Sequence, residues 1–287
     1  MGRLIVNADD FGLTSGVNRA IGELHRSGVL TSATLIARAQ ATDEAIEIAR
    51  ASSALGVGCH VVLVDGEPAL PPHKIPCLID RQNGNFPNSL TTFLQRLVRG
   101  RLCASEIEAE ARAQIEFLQN KGLRLTHIDT HKHTHMFPQV LRPVLRAARA
   151  CGIRAVRNPF EPAWALRATK RARLLRLAEV GALRWLEPIC RRIMTEEGFT
   201  TTDGTVAVAG TGILDAATVR SLLQQMPSGT WELVTHPGYN DADLACVNTR
   251  LRATRDVERM ALAVVKEFPL VELASYAELP AMGSPSG

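Results

Sequence analysis

Short apolar segments alternate with helical segments along almost the whole chain of 287 residues, which leaves few possible architectures. The β-like segments are RLIVNADD, TSATLIA, GVGCHVVLV, LTHIDTH, IRAVRNP, WELVTHPG and VELASY. Segments with helical propensity occupy residues 18–28, 43–52, 105–120, 139–151, 216–225 and 248–267. Such alternation is typical of βα units around a parallel sheet. We predict an α/β fold, a complete or incomplete (β/α) barrel of about seven strands, rather than an open sheet.

The length favours one domain over two. A composition of 46% hydrophobic and 22% charged residues is ordinary for a globular protein, and 287 residues is typical of a single α/β barrel. Residues 65–89, rich in proline and glycine, are predicted to form a long irregular loop of the kind that usually has a function. Ser105 and Glu108 are predicted to form a capping box at the beginning of the helix that Gly122 ends.

The positive charge of the chain is concentrated in one segment. Residues 164–194 contain eight basic and two acidic residues, a net charge of +6, whereas the whole chain has +4. This leucine- and arginine-rich segment is predicted to be helical. It is either the solvated face of an ordinary barrel helix or a basic amphipathic surface that contacts an anionic membrane peripherally. Nucleic acid is not an expected partner, because no nucleic-acid-binding motif is recognisable.

The cysteines and the first residues indicate the compartment. The six cysteines include no CxxC pair, which favours a reducing compartment over a disulfide scaffold. The sequence MGRLIVNADDFG leads directly into a strand pattern without the features of a signal peptide. No apolar run reaches the ~18 residues of a transmembrane helix. We expect a cytoplasmic protein, with peripheral association at the inner face of the membrane as the alternative.

Ionisable side chains follow the apolar segments at their carboxyl ends. They are Asp9 and Asp10, His60, the histidines between 127 and 135, Arg157, and His236. In α/β barrels and in open α/β sheets this end of the strands carries the functional site. We therefore expect these side chains to lie together.

The stretch HIDTHKHTH, residues 127–135, contains four of the chain's eight histidines. In an extended conformation residues 127, 129, 131, 133 and 135 would share one face, a costly arrangement in a core without a cation or a dense hydrogen-bond network. A metal site is therefore preferred over a solvated sheet edge, because imidazole and carboxylate ligands suit Zn²⁺ and other divalent ions. His131 and His135 can both reach one ion if the chain becomes helical after the strand.

The remaining candidates each have two interpretations. In NADDFG one of the carboxylates, Asp9 or Asp10, can ligate a cation while the other takes a proton from bound water; alternatively the pair forms a capped turn. His60 is either a hydrogen-bonded core residue or a ligand. His236, held by the turn at Pro237 and Gly238, is either a further ligand or a general acid for a leaving group.

Taken in order, these motifs resemble the YdjC/ChbG family of carbohydrate deacetylases. The resemblance rests on NADDFG, GCHVVLVDG about fifty residues later, THIDTHKHTHMFPQV, THPGY and the late pair Ser275–Tyr276; the HxDxHxHxHMFP block is highly specific. It implies a metal-dependent, barrel-like fold of the NodB or glycoside hydrolase-deacetylase type, which removes N-acetyl groups from amino sugars. It also implies a homodimer.

The resemblance implies one divalent ion, Mg²⁺ or Zn²⁺, held by Asp10, His60 and His131. It makes Asp9 the base that activates water and His236 the acid that protonates the departing amine. Substrate contacts or support of the ligands are left to Asp129, His133, His135 and Arg157.

The stretch at about 160–200 departs from the short forms of the family, and we interpret it as a basic helical insertion in a single domain, 1–287. With GTVAVAGTG it resembles the family branch associated with hopanoid biosynthesis (HpnK-like), which implies an N-acetylglucosaminyl hopanoid lipid as substrate. A soluble chitooligosaccharide is the alternative. Two other classes compete: a phosphoesterase, which usually needs more carboxylates and two metals, and a non-catalytic sugar- or metal-binding protein, which has no need of Asp9 and His236.

Overall fold

A computed structural model describes residues 2–169 and 172–279 and shows one parallel sheet. Its strands are β1 (Gly2–Phe11), β2 (Ser32–Leu35), β3 (Gly56–Val61), β4 (Ile128–Thr130), β5 (Gly204–Val206), β6 (Gly229–Thr235) and β7 (Glu272–Leu273). The order is β4-β3-β2-β1-β6-β5, and β7 pairs with the first residues of β1. Every pairing is parallel, which confirms the predicted α/β class and the count of about seven strands.

Helices connect the strands and cover the sheet. They are α1 (Ser15–Arg26), α2 (Thr42–Ala51), α3 (Leu90–Val98), α4 (Ala104–Asn120), α5 (Pro138–Ala150), α6 (Ala163–Ala168), α7 (Leu174–Leu183), α8 (Glu187–Glu196), α9 (Ala216–Gln225), α10 (Ala242–Ala245) and α11 (Arg255–Ala261). Short 3-10 helices occupy Pro72–Lys74, His131–Met136, Arg184–Leu186, Leu262–Glu267 and Tyr276–Glu278. In α1, Val17, Ile21 and Leu24 recur at helical spacing and are buried, so this face packs on the sheet.

The segment IRAVRNP closes the gap beside β4 without becoming a regular strand. The backbone N–H of Ile128 donates to Ala155, and the N–H of Arg157 donates to Ile128. On the other side the N–H of Val156 donates to Thr200. The predicted strand is therefore reduced to isolated bridges, because β4 has only three residues and gives the segment little extended backbone to pair with. The sheet curves into an incomplete barrel.

Several predicted element boundaries differ from the structure. The capping box of Ser105 and Glu108 does not form, because α4 begins one residue before Ser105 and has Cys103 at its N-cap without a side-chain cap. The helix predicted from 248 begins only at Arg255 and ends in a 3-10 helix. The short elements α3 and β5 were not predicted. The loop 65–89 is irregular as predicted, with one 3-10 turn.

Helices α6, α7 and α8 occupy the basic segment, of which Lys170 and Arg171 lie outside the described residues. The description of the chain as one domain with an insertion at about 160–200 stays a prediction. In the described part of the chain no helix is both long and apolar enough to span a membrane.

Candidate active site

The first strand delivers two neighbouring carboxylates to different partners. Asp9 and Asp10 lie at the carboxyl end of β1 and are both 3% exposed. Asp10 has a left-handed backbone conformation, with φ of 64°, which is uncommon outside glycine and is tolerated best by aspartate and asparagine. Asp9 faces Arg157, whereas Asp10 faces His60 and His131. The two side chains thus have different partners, as expected if one carboxylate ligates a cation and the other accepts a proton.

Asp10, His60 and His131 form a group that can hold one metal ion. Asp10 Oδ1 lies 3.6 Å from His60 Nε2 and 3.4 Å from His131 Nδ1, and the two nitrogens are 3.2 Å apart. A tetrahedral ion with bonds of about 2.0–2.1 Å has ligand atoms about 3.3–3.4 Å apart, so the spacing fits. The His131 side chain is 22% exposed, which leaves one side of the group accessible. Three protein ligands with an open position are typical of catalytic sites.

Asp129 orients His60 for this role. His60 Nδ1 donates to Asp129 Oδ1 at 2.7 Å, which leaves Nε2 facing Asp10. Burial lowers the pKa of His60, but the carboxylates of Asp129, Asp9 and Asp10 outweigh it and raise the pKa to about 9. Below that pH a proton occupies the imidazole unless a cation displaces it, so metal affinity should rise with pH.

Arg157 is a fully buried centre of positive charge behind the ligands. Its guanidinium binds both oxygens of Asp9, at 2.8 and 2.6 Å, and also contacts Asp129 and Glu232, each at 2.6 Å. Burial raises the pKa of Asp9, but Arg157 outweighs it, so the pKa is lowered and Asp9 stays ionised. Asp9, His60 and Asp129 are also close enough for an ion, but both carboxylates already form ion pairs with Arg157.

Residues packed behind Arg157 account for the glycine before His60 and for the late pair Ser275–Tyr276. Glu232 accepts a hydrogen bond from the Tyr276 hydroxyl, and the Tyr276 ring stacks on His127 with centroids 3.8 Å apart. A Cβ at Gly58 would lie 2.6 Å from His127 Cε1, so only glycine fits two residues before His60. His127 is therefore a core residue whose packing fixes β3, and Tyr276 of the late Ser-Tyr pair supports the site through Glu232 and His127.

His236 follows β6 and faces Asp9. Its Nε2 lies 3.8 Å from Asp9 Oδ2, and its Nδ1 lies 3.7 Å from Glu258 Oε2. The same Glu258 oxygen accepts the backbone N–H of His236 at 2.8 Å. Burial lowers the pKa of His236, but Glu258 outweighs it, so the pKa is raised above its usual value. Glu258 thus favours the protonated form of His236 beside the carboxylate of Asp9.

The extended conformation in which residues 127–135 would share one face ends at Thr130. β4 ends at Thr130, and Lys132 and His133 then adopt left-handed conformations inside the 3-10 helix that begins at His131. His135 Nδ1 lies 2.7 Å from Thr130 Oγ1, and its Nε2 lies 3.2 Å from the Arg157 carbonyl. Both nitrogens of His135 are therefore occupied, and of the four histidines His131 alone joins the metal-binding group.

Two functional candidates were missed by the sequence analysis, and both come from α11. Arg255 Nη2 donates to Asp10 Oδ2, the oxygen that does not face the histidines, and Glu258 holds His236. Both are 1% exposed. In the sequence they stand in LRATRDVERM, where the dense charge resembles a solvated helix face, so no local signal distinguished them.

Replacing Arg255 with methionine should weaken metal binding by ~10–100-fold, the usual effect of removing a group that orients a ligand. Without the guanidinium, Asp10 is free to rotate away from His60 and His131. The affinity for Zn²⁺ is measured by competition with a chromophoric chelator, with circular dichroism to confirm folding. Arg250→Met, the same change at an exposed arginine, is the control. Equal affinities for the two variants would show that Arg255 does not position Asp10.

Comparisons with known proteins identify the family of the chain. The profile of one family, described as YdjC-like protein, matches residues 3–282. A carbohydrate deacetylase from Brevibacillus brevis is 31% identical over 96% of this chain and 99% of its own length. A chitooligosaccharide deacetylase from Salmonella paratyphi B is 40% identical over 52% of this chain and 57% of its own. The crystal structure of an Enterococcus faecalis V583 protein, named for cellobiose-phosphate cleavage, superposes with a TM-score of 0.75 and 26% identity, covering 96% of this chain and 97% of that one. The chain belongs to the YdjC-like protein family.

Proposed function

We propose that the protein is a metal-dependent carbohydrate deacetylase, a hydrolase that cleaves the amide bond of an N-acetylated amino sugar. The observation that supports this most strongly is the meeting of three parts at one end of the sheet. Three candidate metal ligands, Asp10, His60 and His131, lie beside the carboxylate of Asp9 and beside His236, whose pKa is raised by Glu258. The names of the relatives support the same reaction.

The ligand set fits one divalent cation. Two imidazoles and one carboxylate suit Zn²⁺ better than Mg²⁺, which prefers oxygen ligands, so we propose zinc as the better of the two candidates. When bound, such a cation polarises the acetyl carbonyl and lowers the pKa of a water molecule.

The chain's own residues then divide the proton transfers. Asp9 accepts the proton of the attacking water, and Arg157 keeps Asp9 ionised until then. His236 donates a proton to the amide nitrogen as the C–N bond breaks, and Glu258 keeps His236 protonated and oriented. Asp129 and Arg157, both fully buried, support the ligands and the base rather than contacting the sugar. His133 is left as a candidate for shaping the pocket.

The substrate is proposed at two levels. An amino sugar follows from the family, and an N-acetylglucosaminyl group on a hopanoid lipid follows from the resemblance of the insertion and of GTVAVAGTG. The Salmonella relative supports a soluble chitooligosaccharide equally well. We also propose a homodimer, a cytoplasmic location and, as the alternative, peripheral association at the inner face of the membrane. These proposals rest on the sequence alone.

Acetate release tests the proposal and separates its alternatives. The zinc-loaded protein is incubated with an N-acetylglucosaminyl lipid in detergent and with diacetylchitobiose, and free acetate and free amine are both quantified. Equal amounts of the two products from either substrate support deacetylation, and the ratio of the kcat/KM values identifies the preferred class. Tight sugar binding without acetate would instead support a non-catalytic binding protein.

The Glu258→Gln substitution should move the alkaline limit of activity to lower pH. His236 must be protonated to act as the acid, and Glu258 raises its pKa against the effect of burial. Without that charge the pKa falls, so activity is lost at a lower pH as the pH rises, while activity on the acidic side changes little. The kcat/KM profile on diacetylchitobiose measures the shift. An unchanged alkaline limb would show that His236 is not the acid.

A further inference from the structure

Exposed apolar side chains are concentrated on α7, on α8 and on the 3-10 turn Arg184–Leu186 between them. Of the nine large apolar side chains that are exposed in the described residues, four lie here: Leu174 is 85% exposed, Leu175 72%, Trp185 86% and Ile189 52%. Single exposed apolar residues need no explanation, but a cluster of this kind on a soluble surface indicates an interaction site.

These side chains form a continuous stripe. Leu174, Ala178, Ala182, Trp185 and Ile189 are all exposed and recur every three or four residues. The torsion angles stay helical through the 3-10 turn between the two helices, so the spacing keeps the residues on one side. We call Leu174, Leu175, Trp185 and Ile189 the apolar stripe.

The opposite side of the two helices packs at the site end of the sheet. Val180 belongs to a small core cluster with Val208, Ala209 and Val234, the last of which precedes His236 by two residues. In α8 the buried Cys190 thiol donates to the carbonyl of Met136, which ends the 3-10 helix begun by His131. The apolar stripe therefore faces solvent from elements that rest directly on the candidate active site.

The segment that carries the stripe has an excess of positive charge. Residues 164–194 have a net charge of +6 by sequence, and Arg173, Arg176 and Arg192 are exposed, the last two beside Glu179 and Glu196. A second copy of the chain is a poor occupant, because a twofold interface would place this basic surface against itself. Exposed leucine and tryptophan bordered by arginine is instead the pattern of helices that lie in the interface of an anionic bilayer.

From this placement we propose that α7 and α8 dock the protein peripherally on the surface of an anionic lipid bilayer. Leu174, Leu175, Trp185 and Ile189 enter the boundary between headgroups and acyl chains, and the arginines contact lipid phosphates. Docking would hold the active site beside the bilayer, where lipid-linked sugars lie. The binding itself does not depend on the proposed deacetylation.

Vesicle flotation measures the docking directly. The full chain is mixed with two kinds of vesicle. One is phosphatidylcholine alone, and the other is phosphatidylcholine in which about one lipid in three is the anionic phosphatidylglycerol. We expect binding to the anionic vesicles only, weakened by high salt. Leu175→Asp should reduce binding at least ~10-fold, whereas Leu270→Asp, also at a position 72% exposed, should not change it. Binding to anionic vesicles should shift tryptophan emission to the blue as Trp185 enters the bilayer. Trp185→Phe should remove this shift, since Trp231 is buried and Trp164 half-buried.

The contrary results are distinct. No flotation of the wild type, or equal losses from Leu175→Asp and Leu270→Asp, would overturn the docking surface. A dimer that dissociates on Leu175→Asp, seen by light scattering, would assign the stripe to a second copy and overturn the lipid proposal. Acetate release from diacetylchitobiose should be the same in both variants; its absence in the wild type would contradict the proposed function and leave vesicle binding unaffected.

Discussion

Replacing His131 with alanine should remove both the bound metal and acetate release. His131 supplies one of three ligand atoms, and its nitrogen lies 3.2 Å from His60 Nε2 and 3.4 Å from Asp10 Oδ1. Loss of a direct ligand should exceed the ~10–100-fold loss of affinity that follows removal of a supporting group. Because the side chain is 22% exposed, its truncation should leave the fold intact.

The measurement pairs metal analysis after dialysis with acetate release from diacetylchitobiose. His73→Ala makes the same chemical change at an exposed position in the loop 65–89 and should retain both metal and activity. If the His131→Ala protein keeps one tightly bound ion and its activity, then the metal-binding group is not the one formed by Asp10, His60 and His131.

Replacing Asp9 with asparagine should abolish acetate release while the metal stays bound. Asparagine has the shape of aspartate but cannot accept the proton of the attacking water, so activity should fall by ~10²–10⁴-fold. Asp9 binds Arg157 and is not one of the three residues in the Asp10, His60 and His131 group, so the affinity for the ion should change little. The fold should persist, because Arg157 keeps its contacts with Asp129 and Glu232.

Isothermal titration with Zn²⁺ and acetate release separate the two effects in one sample. Asp10→Asn, the same change at the neighbouring carboxylate, is the matched comparison and should lose affinity as well as activity. If Asp9→Asn loses the metal to the same degree as Asp10→Asn, the division between base and ligand is wrong.

The fold was predictable where elements are long and regular. The parallel βα pattern and α9 at 216–225 were predicted as they are observed, because helical and strand periodicities persist over enough residues. The errors lie in short elements and in the start of the helix predicted from 248, which begins only at Arg255. β5 has three residues, and the strand expected at IRAVRNP forms only bridges, since its pairing depends on distant residues such as Thr200 that no local pattern reveals.

The site was predictable as a set of residue types, but not as a set of contacts. The structure brings Asp9, Asp10, His60, His131 and His236 together, as their positions at strand ends suggested. The left-handed turn at Lys132 and His133 turns His135 away from the ligands. The alternating pattern of histidines in HIDTHKHTH does not predict this turn. Arg255 contacts Asp10 across 245 positions of sequence, a separation at which charge pairing cannot be inferred from one chain.

Metal reconstitution tests the central claim most directly. The protein is stripped of metal with a chelator and titrated with Zn²⁺, while acetate release from the better of the two proposed substrates is followed. We predict no release from the stripped protein and a rise in activity that saturates at one ion per chain. Acetate release at full rate from the stripped protein, or saturation with metal that produces no acetate from either substrate, would contradict a metal-dependent deacetylase.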